Sequence, residues 1–434
     1  MTLSMIVAII MVIAIVVLLL KGVTNAGLVF ATVSIIGALI MGYTFGDLKT
    51  FLGAGINTLG STIFLMVFAI LYFGILDEAN VFKALTRWVM KHVGNNTIIV
   101  SMASNALAQL SILSGSGATC ALCTLPPMRP VYEKMGMRNS SLMLVYTFGA
   151  GSLIFMPWCI AINEYSAYVN SDAMTMFNML VPVIVFCFVF SYVIAAVVGV
   201  LEKRHANVLS NEEFEAMRAQ IDQDTQVEVK NKKLMIFNTV FTLVIVATLF
   251  TGLTNPQILF ALGLAVLLLV NYRSVKNQNE YFRRQAGRLI GIVITLLGLA
   301  MYLGVANKTG AFNDLANFLT AGVDEGLLVH LPFIICLLVV PLQIFLGNAS
   351  PAIIVPTIAA LAQPLGVDPV GFMAVYFAGH TVATNLCLFT PTPYLALELA
   401  GMDIKAQIKT QTVPCILYSW VVVCVGAGIG LIPF

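Results

Sequence analysis

Apolar positions in this chain run nearly unbroken for about twenty residues at a time, with neither strand alternation nor a one-sided helical stripe. Such runs occupy 2–20, 26–42, 57–76, 141–164, 174–200, 234–252, 256–272, 288–306, 371–398 and 410–432. Each fits one helical crossing of a bilayer. Two more stretches, 96–127 and 326–363, are long enough for two crossings but have polar, Gly-rich middles. Backbone that turns at mid-depth is tolerated only where protein or a watery cavity satisfies it. These stretches are therefore expected to be re-entrant hairpins that enter and leave on one side. The pattern predicts an all-α polytopic membrane protein.

Charge tests the threading. With ten spans, two hairpins and the polar linker 201–233 in the cytoplasm, 20 of the 22 Lys and Arg fall on the cytoplasmic side; only Lys49 and Lys308 do not. That is the usual topological bias, and making either hairpin a full crossing would invert everything after it. Both termini are then expected outside. The first segment lacks a basic leader region and a small-residue cleavage pattern, so it reads as a retained span. Residues 79–93 are amphipathic and read as an interfacial arm, with a weaker counterpart at 310–323. Within the linker, 211–223 suits a short surface helix.

The halves repeat. Shifted by 230 positions, Gly117, Pro126 and Gly136 fall on Gly347, Pro356 and Gly366. Met143, Val145, Tyr146 and Gly149 likewise fall on Met373, Val375, Tyr376 and Gly379. After a four-residue insertion, Phe155, Pro157 and Glu164 recur as Phe389, Pro391 and Glu398. Residues 1–200 and 234–434 thus form two repeats of five spans plus one hairpin. Five is odd, so the second is expected upside down. Inverted repeats with interrupted helices at matching positions point to a secondary transporter.

The composition agrees. The chain of 434 residues is 59% hydrophobic and 10% charged, with a net charge of +2, far below the roughly 25% charged of a soluble domain. No basic face suggests a nucleic-acid partner. The eight cysteines are scattered. Cys120-x-x-Cys123 has no second Cys/His pair nearby and reads as two small residues inside a helix. No cofactor is expected.

Four breaks carry the chemistry. At Ser114-Gly115-Ser116-Gly117 the glycines permit a tight turn and close approach of a ligand. The helix beginning near Ala118–Thr119 would point free N–H groups at that turn, making an anion site without net charge. Gly347, Asn348, Ala349, Ser350 and Pro351 make the second tip. The third break is Gly149-Ala150-Gly151-Ser152, with Pro157 behind it. The fourth runs from Gly379 to Pro393 and holds Thr381, Thr384, Asn385, Thr390 and Thr392. Their hydroxyls and freed carbonyls suit a small cation or a polar substrate, although such hydroxyls also bond their own helix. His380 reads as a proton carrier or a neutral hydrogen-bonding histidine. Glu164 and Glu398 are interface residues or part of an ion path. No Lys or Arg falls at membrane depth. A substrate carboxylate would be held by helix N-termini, hydroxyls, Asn348 and a co-bound cation, which argues for coupled transport. A sodium/proton antiporter would want a buried Asp pair or Asp–Lys pair, and none is visible. An intramembrane enzyme pairing Ser114 or Ser116 with His380 would gain nothing from a duplicated inverted architecture.

The stretches 66–82, "PPMRPVYEKMGM" and "GHTVATNLCLFTPTPYLALELAGMD" resemble the citrate–metal:proton symporters. These belong to the ion transporter superfamily, with the divalent anion/sodium symporters and gluconate permeases. The resemblance covers nearly the whole chain. It implies two hairpins meeting head-on, an elevator-type motion and a homodimer in the cytoplasmic membrane. It places the first tip at 114–119, the second at 347–350 and the second broken helix at 379–393. One departure is chemical. The family's first tip is of Asp-Gly-Asp-Gly type, and this chain has serines there, so the hard ligands a divalent ion prefers are missing. A free di- or tricarboxylate, or another small carboxylate such as a sugar acid, fits as well as citrate with its metal. The coupling ion is a proton or sodium, the latter held near the tips.

Overall fold

The computed structural model describes residues 3–21, 23–206, 212–213, 215–216, 232–251, 253–311, 314, 324–346, 362, 365–387 and 391–434. These residues are mostly helical, joined by turns and short loops, with no strand among them. The first half holds α1 (Leu3–Leu20), α2 (Ala26–Ile40), α3 (Phe45–Glu78), α4 (Val81–His92), α5 (Thr97–Ile112), α6 (Gly117–Lys134), α7 (Asn139–Leu153), α8 (Ile160–Tyr168) and α9 (Ala173–Glu202). The second holds α10 (Lys232–Phe250), α11 (Pro256–Asn271), α12 (Val275–Thr309), α13 (Glu325–Leu337), α14 (Val339–Leu346), α15 (Pro369–His380), a 3₁₀ turn (Ala383–Leu386), α16 (Pro391–Ala400) and α17 (Ile404–Gly428). Five helices among the described residues are long and apolar enough to cross a membrane unaided.

Local chemistry sets the ends. Thr44 and Asp47 cap α3 reciprocally, side chain to backbone in both directions, which satisfies orphan N–H groups of the first turn. Asp172 caps α9 by accepting from the N–H groups of Met174 and Thr175. Along α9, Val185, Val189, Val193 and Val197 stay exposed, as befits side chains meant for lipid.

The helices gather into two assemblies. In the first, α12 lies across α2 and α3, α11 packs on α3, and α1 and α10 cover α2 and α11. Here backbones touch. A Cβ on Gly27 would fall onto the Ile294 carbonyl, one on Gly55 onto that of Ala300, and one on Gly304 onto that of Phe51. Small residues let membrane helices approach this closely, so that dispersion replaces the missing hydrophobic drive between them.

The second assembly is built around α5 and α6, which run antiparallel as a hairpin. Near its base the Tyr132 hydroxyl pairs with Ser101 at 3.3 Å; nearer its tip the Cys120 thiol meets the Ala108 carbonyl at 3.3 Å. Helices α7 and α9 flank the hairpin, α16 packs on α6, and α15 and α17 complete the group. Glu202 is fully buried and clamps α9 to the start of α7. It accepts from Arg138 Nε at 2.7 Å, the Arg138 amide at 3.0 Å and Ser141 Oγ at 2.6 Å. The packing also pairs off between the halves: α1 on α2 as α10 on α11, α2 on α12 as α11 on α3, and α7 on α9 as α15 on α17. Helix α4 buries Phe82, Val89 and Met90, exposes Trp88 and lies against α5 and α6. The linker helix expected at 211–223 and the second arm at 310–323 fall mostly outside the described residues.

Candidate functional site

The first tip turns where Gly and Ser interrupt the apolar run. Gly115 sits at φ +72°, a conformation that disfavours a side chain. Ser116 caps α6, its hydroxyl accepting from the Thr119 amide at 3.2 Å, and Ser114 Oγ accepts from the Ser116 amide at 3.3 Å. Ser114, Ser116 and Thr119 are all buried. The cap uses the Thr119 N–H, so the amides of Gly117 and Ala118 are left as the first-turn donors of α6.

The first broken helix differs from the sequence-based expectation. Gly149, Ala150, Gly151 and Ser152 remain helical, and the interruption falls at Ile154–Cys159, around Pro157. The glycines serve packing instead. A Cβ on Gly149 would lie 2.9 Å from Ala108 Cβ and from Asn105 Oδ1, and one on Gly151 2.9 Å from Val382 Cγ1 and 3.5 Å from the Thr381 carbonyl. Ser152 donates to the Gly149 carbonyl at 2.8 Å and accepts from Gln109 Nε2 at 3.0 Å. Its hydroxyl is thus committed inside the protein. Asn163 ties off the break, donating to the carbonyls of Pro157 at 2.6 Å and Cys159 at 2.8 Å.

The second broken segment ends α15 at His380, passes through the 3₁₀ turn and resumes at Pro391. His380 is 5% exposed, and its ring lies 5.4 Å from that of Tyr165 in α8. Thr381 spends its hydroxyl on the Ala378 carbonyl at 3.0 Å. Thr384 is half-buried and Asn385 buried. The Asn385 carbonyl accepts from Gln407 Nε2 at 2.5 Å. Gly347, Asn348, Ser350 and Thr390 lie outside the described residues.

Three of the four breaks meet. Trp158, inside the first broken helix, donates from Nε1 to the Leu113 carbonyl at the hairpin tip, 2.8 Å away. A Cβ on Gly117 would lie 3.0 Å from Thr392 Cγ2, which sets the start of α6 against α16. Gly151 meets Thr381 and Val382, as above. Trp158 also stacks on Phe73 of α3 at 5.8 Å and faces Phe260 of α11 at 6.0 Å, joining the site to the glycine-packed assembly. A cavity of about 410 Å³ beside the first break is lined by Ser61, Thr62, Asn163, Asp172, Asn178 and Gln257, among others.

The sequence reading passed over the amides that hold this region: Asn105, Gln109, Asn163, Gln407 and Gln411. Each is at most 1% exposed. Polar side chains at membrane depth are rare and costly, and that rarity was the available signal. Among the described residues no group of three or more His, Cys, Asp or Glu side chains converges on a metal position. Where the three breaks meet, the oxygens offered are hydroxyls, amides and freed carbonyls.

Comparison with known proteins adds the family. The sequence profile of a family described as citrate transporter matches residues 1–376. A citrate transporter of Bacillus subtilis (strain 168) is 26% identical over 381 residues, covering 87% of this chain and 88% of that protein. A Mg(2+)/citrate complex secondary transporter of the same organism is 23% identical over 398 residues, covering 91% and 92%. Among solved structures, MtrF of Neisseria gonorrhoeae, described within a class of antimetabolite efflux pumps, matches with a TM-score of 0.57 at 14% identity. The match covers 89% of this chain and 83% of that one, a likeness of fold.

Proposed function

The chain belongs to the citrate transporter family, and from that premise we propose that it is a secondary transporter moving a citrate-like carboxylate by symport with a cation. It is a multi-pass transporter and not an enzyme. The observation that carries the reading is the meeting of the first hairpin tip with both broken helices through Trp158–Leu113, Gly117–Thr392 and Gly151–Thr381. Helix ends opened at one place supply N–H donors for carboxylate and carbonyls for a cation. No Lys or Arg stands among these residues, so a cation travelling with the anion would supply the missing positive charge.

The serine tip bears on the metal. In the first tip, Ser114 and Ser116 bond within the turn and offer no carboxylate, so a free carboxylate with a proton or sodium suits the site as well as a magnesium chelate. The paired packing of the two halves supports the reading of inverted repeats. The separation into a glycine-packed assembly and one that carries the breaks supports an elevator, with the latter moving. A homodimer and an inner-membrane location follow the family resemblance.

The test is uptake of labelled citrate into proteoliposomes under separately imposed proton and sodium gradients, with and without magnesium. Uptake that follows one gradient identifies the symported ion, and the magnesium arm identifies the form of the anion. Absence of uptake in every arm refutes citrate and sends the search to other small carboxylates. Thr384→Ala removes a half-buried hydroxyl from the second break and should raise KM several-fold at unchanged protein yield; an unchanged KM would exclude Thr384 from the site.

A further inference from the structure

Helix α17 changes character halfway along its inner face. Its buried positions read Gln407, Gln411, Cys415, Tyr418 and Ser419, and then Val422, Val423, Gly426 and Ala427. The changeover lies where α17 meets the end of α15. A Cβ on Gly379 would stand 2.9 Å from Ser419 Oγ, and one on Gly426 2.8 Å from Val375 Cγ2. The apolar half is accounted for by packing.

The polar half is not, nor by hydrogen bonding within the protein. Gln407 and Gln411 each donate an amide N–H to a backbone carbonyl, of Asn385 at 2.5 Å and of Ser140 at 2.9 Å. Among the described residues their amide oxygens have no partner, and neither do the Ser419 hydroxyl and the two ring nitrogens of His380; the Tyr418 hydroxyl meets the Cys187 thiol. These five residues are at most 5% exposed. A buried polar atom left unpaired costs about 1–3 kcal/mol, and folded proteins leave few of them. Side chains one helical turn apart stand about 5–6 Å from each other, a gap one water bridges with two hydrogen bonds of about 2.8 Å. From Gln407 to Ser419 the stripe extends about 18 Å at about 1.5 Å per residue.

We propose that the inner face of α17 holds a file of ordered water running from Gln407 and Gln411, near the start of α17, to Ser419, beside Gly379 at the end of α15, and that the symported cation reaches the second broken segment along it, apart from the organic anion. The water file stands on the unpaired atoms alone; only the ion route rests on the transport reading. Unpaired amide oxygens call for donors, which water supplies and a carboxylate does not. Gln407, Gln411, Cys415, Tyr418 and Ser419 include no carboxylate and no cationic side chain, so the stripe offers no fixed charge to trap an ion. A single file of water is too narrow for a di- or tricarboxylate.

X-ray hydroxyl-radical footprinting in H₂¹⁸O, read by mass spectrometry on the protein in lipid nanodiscs, tests the file directly, because radicals made from water in place oxidise their immediate neighbours. Tyr132 is the control. It is as buried as Tyr418 but lies in α6, away from the stripe, where its hydroxyl pairs with Ser101 and Ser104. Tyr418 and Cys415 should be modified several-fold faster than Tyr132, and Gln411→Leu should bring Tyr418 down to the Tyr132 rate. Equal rates for Tyr418 and Tyr132 in the unaltered protein overturn the file. If Gln411→Leu does not fold, Gln407→Leu takes its place. In proteoliposomes, the variant that interrupts the file should lower turnover several-fold at unchanged KM for the anion; unchanged turnover with an interrupted footprint overturns the ion route. Failure to carry citrate would leave the footprint result intact, which separates this proposal from the choice of substrate.

Discussion

Helices α2 and α3 meet α12 backbone to backbone at Gly27, Gly55, Gly298 and Gly304, whereas α5–α9 and α15–α17, with one such crossing where Gly199 of α9 meets Thr97 and Ile98 of α5, are laced chiefly by amides, hydroxyls and a buried carboxylate. Both sets serve an apolar solvent, in which hydrophobicity no longer favours helix against helix. The first gains dispersion from close approach and tolerates no added atom at its crossings. The second interrupts its helices, so backbone groups come free and side chains must hold them: Asn163 for the carbonyls at Pro157 and Cys159, Trp158 for that of Leu113. The first set is a close-packed frame, and the second carries the helix breaks. Substitutions can break or sharpen that contrast.

The largest effect is expected in the frame. Gly55→Leu drives a side chain onto the Ala300 carbonyl, which has no rotamer to yield. Overpacking of side chains alone costs about 1–3 kcal/mol, and contact with backbone should exceed this. The expected outcome is loss of monodisperse protein on size-exclusion chromatography; a normal elution profile and thermal midpoint would show that α3 and α12 are not locked there.

Next come the two carboxylate clamps, one in each set. Glu202 is fully buried, whereas the Glu78 side chain is 29% exposed. Glu78 accepts from Arg284 at 2.8 Å and Tyr272 at 2.6 Å. Hydrogen bonds to a charged group contribute about 1.5–3 kcal/mol. Glu202→Gln should therefore lower the thermal midpoint clearly and Glu78→Gln much less; the reverse order would place the greater polar dependence in the frame.

Trp158→Phe keeps an aromatic ring near Phe73 and removes the donor to Leu113. About 1 kcal/mol of stability is at stake, so the thermal midpoint should move little while transport falls severalfold. Wild-type transport by this variant would show that the tip needs no tether to the broken helix.

The smallest effect belongs to the exposed pair of Arg129 and Glu133, 2.7 Å apart. The hydrogen bond from Arg129, then that from Asn139, holds the Glu133 carboxyl below its ordinary value. A lowered value favours the folded state at pH above the unfolded carboxyl's, about 4.3, and the benefit fades as pH falls through the folded value. Both side chains are well exposed, so the pair contributes about 0.3–0.5 kcal/mol. Glu133→Gln should shift the midpoint slightly at pH 7, and the two proteins should converge once the pH has fallen below the folded carboxyl's value; a large shift at pH 7 would mark the pair as structural.

Much of the helical order was legible in the chain. The observed ends of α2, α9 and α11 lie within two residues of the apolar runs, and the first tip turns at Ser114–Ser116, where small polar residues interrupt the oil. The first break was misplaced because glycine carries two meanings. At Gly149 and Gly151 it permits close contact with α5 and with Thr381 and Val382, not a bend; Pro157, which cannot continue a helix ladder, marks the bend itself. The amides were overlooked because each is a single letter in an apolar run, and its partner lies on another helix.

The sequence by itself determined where most of the helices lie, the turn at the first tip and the repeat of motifs between halves, but not every length: the runs 57–76 and 288–306 extend at their N-terminal ends into helices beginning at Phe45 and Val275. Whether a run of apolar residues ends, turns or caps is decided by Gly, Pro, Ser and Asp within a few positions. Tertiary structure alone decided which helix faces meet, that Trp158 joins the first break to the tip, and that Gln407 turns toward the second break and Gln411 toward the start of α7. The reason is physical. In a soluble protein, contrast between core and water writes the inner face of a helix into its hydrophobic period. In a bilayer the outside is as apolar as the inside, so that contrast is lost and only the folded packing assigns the faces.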